Sequence, residues 1–234
     1  MKRIAFTLLS LMLLTAASIK VSAQSNTETR QVSGFTAVAS GGPFNVHIKL
    51  DGTESLKIDA DADIIKDIET VVENGTLKIQ FKDRHFRHEN FHKADVYVTA
   101  KTLNALTAAG SGSMKVDGTI STSNFKIVLS GSGDVSTAVK SETLKAILTG
   151  SGSISLNGNT SDADFTISGS GQINGKGLKT QTAKAGITGS GDVYVSAEKT
   201  VSAWITGSGN VVYSGSATIA SVRTTGSGRV SKEN

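Results

Sequence analysis

The stretch with the most recognisable chemistry is His88-Glu89-Asn90-Phe91-His92, which fits the pattern H-E-x-x-H. On a helix that spacing puts both imidazoles on one face, where they bind zinc while the glutamate activates a metal-bound water. His85 stands three residues upstream, so His85, His88 and His92 also form a candidate set for adventitious or regulatory metal binding. The surroundings argue against the protease. The charged run Lys82 to Lys93 falls between two strand patterns, Leu77 to Phe81 and Asp95 to Thr99. Asn90 and Phe91 do not give the apolar flank of a metal-binding helix, no G-x-x-H follows, and the next glutamate is Glu142. The simpler expectation for this run is a solvated hairpin tip, with no metal and no cofactor.

Gly-Ser-Gly is the second pattern with a chemical connotation, since glycine-rich loops cradle phosphates. It occurs seven times, starting at Gly110, Gly131, Gly150, Gly169, Gly189, Gly207 and Gly226. No copy has the third glycine of G-x-G-x-x-G, and no helical pattern follows any of them. A calcium-binding nonapeptide repeat is excluded as well. The period is near 19, and an acid follows the triplet only at Asp134 and Asp192. A constant period of that length is the mark of a repeat architecture.

Aligned on their triplets, the copies show which residues face inward. The second residue before the triplet is Ala108, Leu129, Leu148, Ile167, Ile187, Ile205 and Thr224. The fourth and sixth positions are also mostly apolar, and the column beginning Met114, Val135, Ile154 is apolar after the triplet. Apolar residues thus recur at alternate positions, and the column Ser113, Asp134, Ser153, Gln172, Asp192, Asn210 and Arg229 is wholly polar, which is the period of a strand with one buried face. Each copy therefore reads as strand, Gly-Ser-Gly corner, strand and polar turn. One copy cannot bury its apolar face alone, so the copies must stack. The expected fold is all-β: a β-solenoid, a parallel β-helix whose right hand follows the crossover preference. Glycine supplies the corners, and stacked seryl hydroxyls are expected to bond along the ladder.

Upstream of the repeats, Lys2 and Arg3, the apolar run Ile4 to Leu14 and Val21-Ser22-Ala23 have the form of a signal peptide cleaved after Ala23. Residues 24–31 are polar and expected to be a flexible leader. Residues 32–102 hold N-terminal strands and hairpins. Among them are strand patterns at Phe35–Ala39, Phe44–Leu50 and Ser55–Ala60, a helical turn capped by Asp63, and an Asn74-Gly75 hairpin. Residues 103–232 are the repeats. No later segment has the roughly 20 apolar residues of a membrane span. The chain has no cysteine, so it offers no disulfide, thiolate metal site or lipidated cysteine.

Phrases such as ITGSGDVYV, WITGSGNVVYSG and FTAVASGGPFNVHI resemble the head GIN domain family, a group named as auto-transporter adhesins. The similarity runs from about Val32 to Ser231. It implies a β-helix-like fold, export in a Gram-negative bacterium and no established activity. With six residues after Gly226-Ser227-Gly228, no translocating barrel is expected downstream of the repeats.

Charge narrows the partners. Without Lys2, Arg3 and Lys20 the formal charge falls from +4 to +1, which gives no electrostatic case for nucleic acid or anionic membrane. Function then falls to the outward columns. One carries Lys126, Lys145, Asp164 and Lys184, the kind of row a carbohydrate-active enzyme could use or a solvated face could carry. The next holds Val128, Ile147 and the only tryptophan, Trp204, apolar residues where solvent is expected; Tyr194 and Tyr213 could extend that strip. The leading expectation is a non-catalytic exported or cell-envelope solenoid that binds glycan or protein. A carbohydrate-active β-helix enzyme is the alternative, a lipid or small-ligand module the third reading, and oligomerisation is left open.

Overall fold

A computed structural model of the chain describes residues 25–83 and 92–233. The first strands are β1 (Ser25–Arg30), β2 (Ala37–Gly41), β3 (Asn45–Leu50) and β4 (Ser55–Asp61). They are followed by β5 (Ile68–Glu73), β6 (Thr76–Phe81), β7 (Ala94–Ala100) and β8 (Ala105–Gly110). The repeats supply β9 (Ser113–Gly131), β10 (Asp134–Gly150), β11 (Ser153–Gly169) and β12 (Gln172–Gly189). The last four strands are β13 (Asp192–Gly207), β14 (Asn210–Ser214), β15 (Thr218–Gly226) and β16 (Arg229–Lys232).

Consecutive repeats pair in parallel, one coil above the next. Between β10 and β11 the register runs without a shift from Asp134 opposite Ser153 to Gly150 opposite Gly169. The columns read from the sequence are therefore physical stacks. Leu129, Leu148, Ile167, Ile187 and Ile205 are buried one above another, as are Met114, Val135, Ile154, Ile173, Val193 and Val211. The result is a parallel β-solenoid of about seven turns.

The corners show why glycine recurs. Gly150 has φ of +117°, a region that L side chains rarely adopt. A Cβ there would also run into the Gly131 carbonyl of the coil below. That carbonyl accepts two hydrogen bonds from the next coil, from the N–H groups of Ser151 and Gly152, both at 3.0 Å. The expected hydroxyl ladder is not what holds the corner. The triplet serines are exposed, and the stacking is done by backbone N–H groups.

The N-terminal strands continue the stack without the triplet. β2 lies parallel to both β6 and β8, and β3 lies parallel to β7 and β9. Gly42-Pro43-Phe44 thus takes the corner position below Gly110-Ser111-Gly112. The Gly42 N–H donates to the Ala109 carbonyl at 2.7 Å and the Ser113 N–H to the Phe44 carbonyl at 3.0 Å. β6 and β7 form the next coil outward and do not pair with one another. β6 and β7 are consequently two limbs of one coil and not the arms of the expected hairpin.

The chain closes this end by reversing direction. β4 and β5 run antiparallel to β7 and β6. They are joined through a 3-10 helix, Ile65–Asp67, whose N-cap is Ile64 and not Asp63. β5 and β6 meet at the expected Asn74-Gly75 turn, with positive φ at both residues. Residues 25–30 are not a loose leader: β1 pairs antiparallel with β4 over its full length. Arg30 fastens it, donating from Nη1 to the Ile68 carbonyl at 2.6 Å and from Nη2 to the Ile65 carbonyl at 3.1 Å. Residues 1–24, which include the expected signal peptide, lie outside the described residues.

At the other end β15 pairs only with β13, so the inward side of this coil has no neighbour above it among the described residues. Ile219 and Val222 are exposed there. Ile219, not Ala220, stands opposite Val201, because a register shift intervenes before Ser202 and Ser221. Among the described residues no helix is long and apolar enough to cross a membrane.

Candidate functional site

On the limb that precedes the triplets, every second side chain points outward, and cross-strand pairing lines these residues up. Lys126, Lys145, Asp164 and Lys184 stand directly opposite one another on β9, β10, β11 and β12. Asn124, Thr143, Asp162 and Thr182 form the adjacent row in the same register. Thr143 donates to Asn124 Oδ1 at 2.6 Å, and Thr182 donates to the Asp162 carboxylate.

Between these rows lies an open depression of about 300 Å³, lined by Thr143, Lys145, Asp162, Asp164, Thr182 and Lys184. Leu144 and Ala163 belong to the buried columns and reach its floor. Asp164 Oδ1 is buried without a hydrogen-bond partner. The ammonium groups of Lys145 and Lys184 make no ion pair with it, although both residues are its cross-strand neighbours. A buried carboxylate oxygen left unpaired is costly in a folded protein. Asp164 as a whole is half-buried and lines the depression.

The strip beside this depression is in register as well. Thr107, Val128, Ile147, Thr166, Gly186, Trp204 and Arg223 follow one another across the coils. Val128 and Ile147 are half-buried, and Trp204 is 46% exposed. The indole lies across Gly186 of the preceding coil. A Cβ on Gly186 would come within 2.5 Å of Nε1 and closer still to Cε2 and Cζ2. Gly186 is thus a seat for the ring, and its φ is not in the positive region, so the absent side chain serves this contact. The seat adjoins Lys184, two residues earlier on the same strand. The face thus has an apolar half, the half-exposed indole, and a polar half of lysines, aspartates and threonine hydroxyls.

The tyrosines sit elsewhere. Tyr213 is buried, pointing inward with the parity of Val211. Tyr194 is half-buried and faces outward, but beyond the Gly-Ser-Gly ridge on the other limb, with Lys176 Nζ 5.0 Å from its ring centroid. Neither extends the Trp204 strip. Of the histidine set, His85 and His88 lie outside the described residues, as does most of the H-E-x-x-H stretch. His92 exposes 80% of its side chain, while its N–H donates to Asp61 Oδ2 at 2.6 Å. Among the described residues no three His, Cys, Asp or Glu side chains are grouped to hold a metal.

The geometry defines a parallel β-solenoid with in-register rows of outward side chains on its strands. Residues 34–217 match the family model described as "Putative auto-transporter adhesin, head GIN domain", and the chain belongs to that family. Its structure is similar to that of a protein from Bacteroides fragilis named "a putative adhesin", with a TM-score of 0.84 and 25% identity. That match covers 91% of this chain and 98% of the other. It also resembles a protein from Parabacteroides distasonis named as lipid binding, with a TM-score of 0.72 at 24% identity over 90% and 97% of the two chains. A protein from Parabacteroides merdae, also named "a putative adhesin", gives a TM-score of 0.72 at 21% identity over 90% and 97%. No curated protein matches the sequence.

Proposed function

We propose that this chain is an exported, non-catalytic recognition protein that binds glycan on the face carrying Trp204 and the Lys145–Asp164–Lys184 row. The family's adhesin-like character supports the class of role. The observation that carries the ligand is the half-exposed indole seated on Gly186, in the column beside the Lys145–Asp164–Lys184 row. A sugar ring offers an apolar face to stack on the indole and hydroxyl donors for Asp164, so it satisfies both halves at once. Export fits the signal-peptide pattern of residues 1–23. Binding to a glycan array that disappears in Trp204→Ala, with an unchanged circular dichroism spectrum, is the expected result. Retained binding would remove this face from the reading.

Asp162 and Asp164 give a second reading some substance. Two positions apart on one strand, they point to the same face, and a pair of carboxylates on one face is the machinery of glycoside hydrolysis. Against it, both acids come from one strand of an open face, with nothing over them to exclude water. Asp164→Asn separates the two. A hydrolase would lose turnover and keep its substrate, whereas a binding protein shows no turnover in either form and loses affinity.

A further inference from the structure

A second surface depression, larger than the first, lies on the limb beyond the Gly-Ser-Gly ridge, where the N-terminal coils meet the repeats. Its volume is about 640 Å³. Four strands that are far apart in sequence supply one continuous row of outward side chains there. Lys57 on β4 stands opposite Tyr97 on β7, Tyr97 opposite His47 on β3, and His47 opposite Lys115 on β9. Three inter-strand steps separate Lys57 from Lys115, about 14 Å along the row. Lys49 lies in the neighbouring row, between Thr99 and Asp117.

The contacts within the row are those of a stacking platform ringed by positive charge. The His47 and Tyr97 rings stack with centroids 5.0 Å apart and planes 18° apart. Lys57 Nζ lies 5.2 Å from the Tyr97 ring centroid, and Tyr97 stays 40% exposed. Lys49, Lys57 and Lys115 line the depression against a single acid, Asp117. None of the three lysines makes an ion pair within 4.0 Å among the described residues, unlike Lys78, Lys93 and Lys101 nearby. Gathering three cations around one lining acid, with Asp117 opposite Lys49 and Asp51 near it, leaves a positive excess that an anion would relieve.

We propose that this groove binds an acidic polysaccharide segment, with Tyr97 as the stacking surface for a sugar ring and Lys49, Lys57 and Lys115 as the contacts to its carboxylate or sulfate groups. The hydroxyls of Ser55 and Thr99, 2.9 Å apart at the rim, suit a polyhydroxylated ligand. A nucleic-acid strand would use the same stacking and charge. It is the poorer fit, because a formal charge of +4 on the whole sequence provides little long-range attraction for a polyphosphate. The site is independent of the Trp204 face: the two lie on opposite sides of the triplet ridge and share no residue.

The test is calorimetric titration of the folded protein with a galacturonate oligomer, a heparin-derived oligosaccharide, a neutral galactan oligomer and a single-stranded oligonucleotide. Binding of either acidic oligosaccharide, weakening with salt, with the neutral oligomer bound at least tenfold more weakly, supports the site. Preference for galacturonate assigns a carboxylate ligand, and preference for heparin assigns a sulfated one. Lys57→Gln and Lys115→Gln should each reduce affinity about fivefold and Tyr97→Ala about tenfold or more, while Trp204→Ala leaves it unchanged. Equal binding of the neutral oligomer, tighter binding of the oligonucleotide, or wild-type affinity in all three groove variants overturns the proposal. Loss of acidic-glycan binding in Trp204→Ala alone would return the ligand to the other face and overturn it equally.

Discussion

Gly186→Ala tests the Trp204 face without altering any side chain that would touch a ligand. The added methyl has no backbone penalty, since Gly186 is not at positive φ, but it occupies the space where the indole lies. The ring must therefore lift or swing away. A tryptophan side chain presents about 250 Å². With 46% of the residue exposed, roughly half of that area is covered in place. Returning half of the covered part to water, about 60 Å², costs about 1.5 kcal/mol. Replacing glycine by alanine in a strand gives back about 0.5–1 kcal/mol. The net change in stability is small, about 0.5–1 kcal/mol of destabilisation, so the protein should remain folded.

Recognition should suffer more than stability. An aromatic anchor at the centre of a binding face contributes about 2 kcal/mol or more, so misplacing it should cost about 30-fold in glycan affinity. Trp204 is the only tryptophan, and its fluorescence reports on the seat alone. Gly186→Ala should shift the emission to the red and increase acrylamide quenching. Titration with the best array ligand then reads the affinity. Unchanged emission and quenching would mean that the ring does not rest on Gly186. A shifted spectrum with unchanged affinity would mean that stacking on Trp204 is not how the face binds.

Other perturbations probe the scaffold. Gly150→Ala combines positive φ, about 1–3 kcal/mol, with a collision against the coil below, another 1–3 kcal/mol. Its urea midpoint should fall well below that of Gly34→Ala, where φ is +75° but nothing lies within 4 Å of the new methyl; equal midpoints would deny the close-packed corner. Arg30→Ala leaves the Ile65 and Ile68 carbonyls without their charged donor and should cost about 2–3 kcal/mol. Hydrogen exchange should quicken first in β1 and at the Ile65–Ile68 corner, and uniform quickening would refute the clamp. Glu54 accepts from Lys101 at 2.9 Å and from the N–H groups of Gly34 and Phe35. These bonds, the lysine first, hold its carboxyl below the ordinary value. A depressed folded-state value gives stability that is complete above the unfolded-state value near 4.3 and is lost as pH falls through the folded one. The stability advantage of wild type over Glu54→Gln should therefore be present at pH 6 and vanish towards pH 3. A pH-independent difference would contradict it.

The repeats were legible because seven glycine corners pin the period, and alternation then assigns every side chain to a face. Trp204, Ile147 and Val128 fall in one outward column for that reason, and Lys145, Asp164 and Lys184 fall in another. Tyr213 was within reach of the same logic, since it lies two residues beyond the inward Val211. The N-terminal half has no period, and there the sequence shows strands without their partners. Nothing in Leu77–Phe81 or Asp95–Thr99 reveals that they form one coil and not a hairpin. β1 gives no alternation because it buries no apolar side chain; its order comes from the β4 edge and from Arg30. The Tyr97 groove is assembled from residues 47 to 117 by pairing alone. Its only local sign is the outward parity of His47 and Lys49 beside buried Val46 and Ile48.

The division between corner and column bears on how such a fold can carry different specificities. At the corners, carbonyls and N–H groups of successive coils meet directly, and almost any side chain would separate them. Outward positions meet only their cross-strand neighbours and solvent, so substitution there costs little, typically within 0.5 kcal/mol. A chain 25% identical to the Bacteroides fragilis protein can then keep a TM-score of 0.84, because the constraint lies in backbone contacts that few residue types need to satisfy. Two faces separated by a ridge of backbone can also change independently. Substitutions at Trp204 and at Tyr97 should accordingly be additive in stability and uncoupled in binding. A double-mutant cycle with a coupling above about 0.5 kcal/mol would show that the ridge transmits strain between the faces and does not insulate them.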